Sequence, residues 1–186
     1  MTYTGALAAL VLSIVGLSVV SARSIAGDAT PPSAHQLRMG KNVFKAACAG
    51  CHKWHGGGGG GYGGAALSLR KTELSRDQII ETVRCGRPGT GMPSHDREAY
   101  KDKSCYGMTK EEAGNNLPPV ANSYLSASEI QDVADYVIAN VKGKGDPTLE
   151  ECLDFWGSTS QVCNEFKKTS SEEKRSQVHI QLEVTR

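Results

Sequence analysis

Cys48-Ala49-Gly50-Cys51-His52 is the stretch from which the rest of this chain is read. Two cysteines three positions apart, followed at once by a histidine, have the spacing of a c-type haem attachment site. The chemistry explains the spacing. Each thiol adds to one vinyl group of the haem as a thioether, and the adjacent histidine then lies under the ring and offers an imidazole nitrogen to the iron. A bare Cys-x-x-Cys also serves as a redox pair or as half of a zinc site. The redox pair wants a βαβ setting and the zinc site a second close ligand pair, and neither is visible here.

Outward from the motif, Gln36 to Ala47 reads as a helix that ends at it. Gly40 and Phe44 fall on one face of that helix. A glycine inside a helix costs about 1 kcal/mol against alanine, which close approach of a second helix would explain; the alternative is an accidental glycine on an exposed face. After the motif come an unbroken glycine run, Gly56 to Gly61, and Tyr62-Gly63-Gly64. That backbone freedom reads as a loop. A phosphate-cradling loop would need a preceding strand and a following Gly-Lys-Ser, and has neither.

Two further helices announce their starts. In Leu74-Ser75-Arg76-Asp77-Gln78-Ile79, Ser75 is the N-cap, Gln78 closes the capping box and Leu74 staples onto Ile79; the helix runs to Cys85 and stops at Gly86. Leu125-Ser126-Ala127-Ser128-Glu129-Ile130 repeats the device, with Ser126 and Glu129 as the box. There Ile130, Val133, Ala134, Val137, Ile138 and Val141 form one stripe, and the helix ends near Gly143. Between the two lies an irregular stretch long enough to suggest function, with one short helical turn at Lys110 to Ala113 capped by Thr109. From Gly145 onward the pattern fades. Beyond Phe166 the tail is charged and rich in Ser and Thr, with weak apolar alternation from Val178 to Val184, and reads as mostly disordered.

The 186 residues suffice for one ordinary domain with appendages. A net charge of +1 supplies no bulk basic field for nucleic acid or anionic membrane. Residues 1–22 carry no charged side chain, Gly5 to Val20 is almost wholly apolar, and Val20-Ser21-Ala22 offers small residues for cleavage. This reads as a secretory signal; a retained N-terminal anchor is the alternative, since a span needs about 20 apolar residues. In either case the remainder is exported to a compartment that permits disulfides. Residues 23–34, with Pro31-Pro32, read as a linker.

The arrangement resembles the class I monohaem cytochrome c family. The residues that carry the resemblance are Gly40-x-x-x-Phe44-x-x-x-Cys48-x-x-Cys51-His52, then Gly91-Met92-Pro93, then the stripe ending in Ala134-Asp135-Tyr136-Val137, in the family's order. They match its N-terminal helix and haem motif, its methionine-ligand loop, and its C-terminal helix, whose aromatic packs near the N-terminal helix glycine. The resemblance implies an all-α, cytochrome c-like fold of three to five helices around one covalently bound haem c, with long loops. It implies a signal peptide or anchor at 1–22, a linker at 23–34, a cytochrome c domain at 35–144, and a partly disordered C-terminal extension at 145–186. Cys48, Cys51, His52 and Met92 would bind the cofactor, His52 and Met92 through the iron. With both axial positions filled there is no catalytic residue, and the implied role is single-electron transfer in the periplasm rather than enzymatic catalysis. The implied partners are a periplasmic dehydrogenase as donor and a terminal oxidase or another cytochrome as acceptor. Two alternatives stand beside it: a haem subunit of a permanent oxidoreductase complex, and a haem enzyme or gas sensor with an open sixth iron position.

Two departures from the family pattern stand out. The family commonly has a proline after the motif whose carbonyl accepts the histidine ring N–H; Gly63-Gly64-Ala65-Ala66-Leu67 contains none. The methionine loop is also long and contains Cys105. Besides Cys48 and Cys51 there are Cys85, Cys105, Cys152 and Cys163, which allow three pairings. The local closures are Cys85 with Cys105 and Cys152 with Cys163, and the first would tie the insertion to the base of the ligand loop. Of the four methionines, Met1 lies in the signal and Met39 on the first helix. Gly91 leaves the backbone before Met92 permissive and Pro93 fixes it afterwards, whereas Met108, beside a helix start, reads as packing. Among the other histidines, His35 precedes the first helix, His55 reads as a solvated residue of the glycine loop, and His95 follows the methionine loop. Arg84 and Arg87 flank Cys85 and read equally as partners for haem propionates or as surface charge at a helix end.

Overall fold

The computed structural model describes residues 31–59 and 66–167. The expected signal at 1–22, most of the linker, Tyr62-Gly63-Gly64 and the tail from residue 168 fall outside them. From Pro32 on, the chain belongs to one compact unit. Among the described residues the fold is all-α: there is no strand, only isolated bridges between Ser94 and Val120 and between Cys105 and Met108. No described helix is long and apolar enough to cross a membrane.

Helix α1 (Ala34–Val43) begins earlier than Gln36, because Ser33 caps it and Gln36 closes a capping box. His35 therefore lies inside the helix rather than before it. Nor does the helical run stop at the haem motif. It widens into a π-helical turn, Phe44–Cys48, and continues as α2 (Ala49–His52). Such π turns inside α-helices concentrate at functional sites. Lys53, with a left-handed backbone at φ 62°, ends the run. The other helices are α3 (Arg76–Cys85), α4 (Lys110–Ala113), α5 (Ala127–Asn140) and α6 (Leu149–Trp156). The first three start at Ser75, Thr109 and Ser126, with the expected boxes at Ser75 and Ser126 and a further box in which Glu112 partners Thr109. The count of α-helices bounded within the described residues reaches six because the π turn divides the first run and because α6 adds a helix that the fading pattern hid.

The core gathers one face of each long helix. Val43 and Phe44, Ile79 and Val83, Ile130, Val133, Ala134, Val137 and Val141, and Phe155 of α6 form a single buried cluster. Helices α1 and α5 cross at Gly40, where a Cβ would fall on the Asp132 carbonyl and 2.8 Å from the Tyr136 Cβ. The glycine is therefore required by the crossing, and Tyr136 is the aromatic beside it. Ile138 was expected on the buried stripe but is exposed. At 100° per residue it stands about 80° off the line of Ile130, while Asp135, off the stripe, is buried by a bidentate ion pair with Arg76 of α3.

The region after Gly145 is not patternless. Thr148 caps α6 with Glu151 as its box partner. Phe155 sits edge-on to Phe44 with ring centroids 6.2 Å apart and 5.9 Å from the Trp54 ring. Lys41 reaches Asp154 at 2.9 Å, and Arg70, buried, spans the Glu151 carboxylate at 3.1 Å to each oxygen. Cys152 is joined to Cys163, and Cys85 to Cys105.

Candidate haem site

Cys48 closes the π turn, Cys51 and His52 lie on α2, and Cys48 packs against the edge of the core. The helical run thus brings all three motif side chains to one place. Among the described residues Cys48 and Cys51 are the only unpaired cysteines. Burial, reinforced by Cys51, pushes the Cys48 thiol up to about 12. The described residues also contain no cluster of three or more His, Cys, Asp or Glu side chains able to hold a metal ion, which leaves a zinc reading of the motif without a second ligand pair.

The ring of His52 is set for metal binding. Its Nδ1–H donates to the Leu67 carbonyl at 3.0 Å, leaving Nε2 as the free donor atom. Metal-ligating histidines nearly always engage their other ring nitrogen in this way. Burial holds His52 below the ordinary histidine value, the Leu67 carbonyl opposes that shift, and the charge of Arg87 adds to it. The imidazole is therefore neutral at pH 7, the form that coordinates iron. Leu67 is the last residue of the stretch where the resembling family places its proline, so a leucine carbonyl serves in place of a proline carbonyl. The loop that delivers it is closed by backbone bonds, Gly58 N–H to His52 O at 3.0 Å, Gly59 N–H to Ala66 O at 2.8 Å and Leu69 N–H to Gly56 O at 2.7 Å. Gly56 and Gly58 both take left-handed backbone there. These donor atoms, two free thiols and one oriented imidazole on a single helical run, fit a covalently attached haem.

His55 is not the solvated residue expected. It is half-buried, its Nδ1 accepts the Gly57 N–H at 3.1 Å, and its carbonyl accepts from Arg70 at 3.0 Å. Arg84 and Arg87 part company. Arg84 is engaged by Asp96 at 3.1 Å, whereas Arg87 has no ion pair among the described residues and bears on His52.

Met92 lies half-buried in the loop that follows α3. Its N–H is taken by the Thr90 hydroxyl at 3.2 Å and its carbonyl by the Arg87 N–H at 3.2 Å. Met108 packs against a second small cluster, made of Cys85, Tyr100, Cys105 and Ala113, as the sequence suggested. Among the described residues, the buried side-chain polar atoms left without a hydrogen bond are His95 Nδ1 and Tyr100 Oη. Sequence reasoning missed the Leu67 carbonyl and Arg70; nothing local marks either.

Residues 35–110 are similar to the family described as cytochrome c oxidase, cbb3-type, subunit III. No curated protein and no solved structure matches the chain. The family match supports a c-type cytochrome acting in electron transfer, with covalently bound haem and iron.

Proposed function

We propose that this chain is an exported monohaem c-type cytochrome that passes single electrons between redox proteins in the periplasm, with His52 and Met92 as axial ligands. The observation that carries the reading is the Nδ1–H of His52 held by Leu67 O beside two unpaired cysteines. When bound, the haem supplies a one-electron iron couple. Cys48 and Cys51 tether it, and His52 Nε2 gives the borderline nitrogen ligand. The soft, neutral thioether of Met92 favours reduced iron and raises the potential. Arg87, without an acidic partner among the described residues, places a positive charge beside His52 and suits a propionate. A dehydrogenase as donor and an oxidase or second cytochrome as acceptor fit a protein with no open coordination position. Residues 1–22 would serve as the export signal or as an anchor.

A second reading has its own support. The matching family is named for a subunit of an oxidase, so a haem subunit held permanently in a complex is the alternative to a free shuttle. Size-exclusion of the native protein separates them: a shuttle elutes alone, a subunit elutes with its enzyme.

Two experiments test the main reading. Denatured holoprotein keeps its haem through acidified-acetone extraction, and Cys48→Ala with Cys51→Ala loses it; free extraction from the wild type would overturn the assignment. Met92→Ala abolishes the sulfur-to-iron band at the red edge of the oxidised spectrum and lets carbon monoxide bind the reduced iron, whereas Met108→Ala keeps the band. The reverse pattern moves the ligand into the insertion, and carbon monoxide binding by the wild type indicates an open-site enzyme or sensor.

A further inference from the structure

We infer that Tyr106, together with the Cys85–Cys105 bridge beside it, positions the Met92 loop and so sets how firmly the sixth iron ligand is held. The inference rests on Met92 being that ligand.

The argument begins at Gly86, the first residue after α3. Its backbone is left-handed at φ 67°, and a Cβ there would stand 2.7 Å from the Met92 carbonyl oxygen and 2.8 Å from the Pro93 carbonyl carbon. The loop can fold back onto its own base only because this residue has no side chain. The Tyr106 hydroxyl donates to the Gly86 carbonyl at 2.7 Å. A residue of the insertion therefore grips the pivot of the ligand loop.

Tyr106 is itself held in an uncommon conformation. Its φ is 53°, in the left-handed region that bulky side chains rarely occupy. Such backbone persists only where the surroundings dictate it, and three contacts do so. Cys105, its neighbour, is bonded to Cys85 at the end of α3; the Tyr106 N–H donates to the Glu81 carboxylate at 3.3 Å; and the Met108 N–H closes the turn on the Cys105 carbonyl at 3.0 Å. The far end of the loop is held by the stretch that follows the insertion: Gly89 N–H to Asn116 O at 2.8 Å, Ser94 N–H to Pro119 O at 2.9 Å, and Ala121 N–H to Ser94 O at 3.0 Å. The bonds within 87–92 are local ones, Arg87 N–H to Met92 O, Thr90 to Arg87 and Met92 to Thr90. The loop thus hangs between two polar anchors, and Tyr106 is the one with a removable hydroxyl.

Imidazole titration of the oxidised holoprotein reads the strength of this hold, because imidazole and the methionine compete for one iron position. Tyr106→Phe, half-exposed and close in shape, is expected to bind imidazole about five-fold more tightly, the effect of losing one hydrogen bond, with the sulfur-to-iron band fading at correspondingly lower imidazole. Cys85→Ser with Cys105→Ser is expected to shift it further in the same direction. Cys152→Ser with Cys163→Ser, which loosens the opposite side of the molecule, leaves the affinity unchanged. Wild-type imidazole affinity in Tyr106→Phe, or an equal shift in the Cys152/Cys163 variant, overturns the inference. Met92→Ala run alongside separates the two ideas. A retained sulfur-to-iron band there refutes the ligand assignment. A lost band with an unmoved Tyr106→Phe refutes the clamp alone.

Discussion

His52 stands at the end of a helical run that is packed under α5 and against α6, whereas Met92 stands in the irregular loop that follows α3. The first side is built by apolar periodicity: Phe44 is fully buried, Gly40 lets α5 press close, and Phe155 closes the cluster. The second side is built by staples, namely a disulfide, the Tyr106 hydroxyl and a few backbone bonds. Among the described residues, the buried polar atoms that lack a partner, His95 Nδ1 and Tyr100 Oη, belong to the second side. The difference teaches that one proposed ligand is fixed by the global fold and the other by local bonds that can be cut singly. On that proposal, loss on the first side is loss of the protein, and loss on the second is loss of a ligand.

Gly40→Val is the change with the largest expected effect. Its side chain meets the Asp132 backbone carbonyl, which cannot swing away. Denaturant titration is expected to give a loss of about 4 kcal/mol or more, with the far-ultraviolet helix signal and the methionine band lost together. If the band goes while the helices stay, the two sides are not divided as described. Next comes Phe155→Ala, which removes a core side chain contributed by the C-terminal region and is expected to cost about 3 kcal/mol. A cost below about 1 kcal/mol would make that region an appendage and not part of the histidine side.

Caps sharpen the contrast at a smaller scale. Ser126→Ala opens the start of α5 and is expected to cost about 1 kcal/mol of global stability. Thr109→Ala opens only α4, within the insertion, and is expected to cost less globally while raising hydrogen exchange in the insertion. The smallest effect is one of pH. Burial holds His95 below its ordinary value of 6.5, against the pull of a Ser123 backbone bond. The unfolded chain then binds a proton that the folded chain refuses. Stability is full above about pH 7 and falls as pH drops through 6.5 toward the lower folded value. His95→Gln flattens that fall in the thermal midpoint, though not wholly, because burial also lowers His55.

Legibility in the sequence followed the range of the signal. Cys48, Cys51 and His52 could be singled out because the chemistry expected of them is set by adjacent positions. The starts of α3, α4 and α5 were readable because a cap and its box partner are also neighbours. Helix α6 carries the same signal in Thr148 and Glu151, but it is short and its apolar positions, Leu149, Cys152 and Phe155, are few, so the pattern looked spent. The pairing of Cys85 with Cys105 and of Cys152 with Cys163 followed from local closure alone. The carbonyl on His52 was not readable, since every residue has a carbonyl and only tertiary folding chooses Leu67. Arg70 was hidden for the same reason, because its partners at His55, Gly145 and Glu151 come from three separate places in the chain.

The contact between Phe44 and Phe155 joins the first described helical run to α6. It follows that a helical run made before α3, α5 and α6 is completed only after them. Until α5 and α6 have been made, α1 has no apolar surface to rest on, and a contact between such distant residues forms slowly. Cys48 packs against the same cluster, so its thiol stays open to a reagent for as long as the cluster is unfinished. A chain ending before Thr148 should therefore leave Cys48 reactive toward an alkylating agent, while the whole haem-free chain protects it. In that interval, set by the length of chain still to come, a haem destined for these thiols would find Cys48 uncovered.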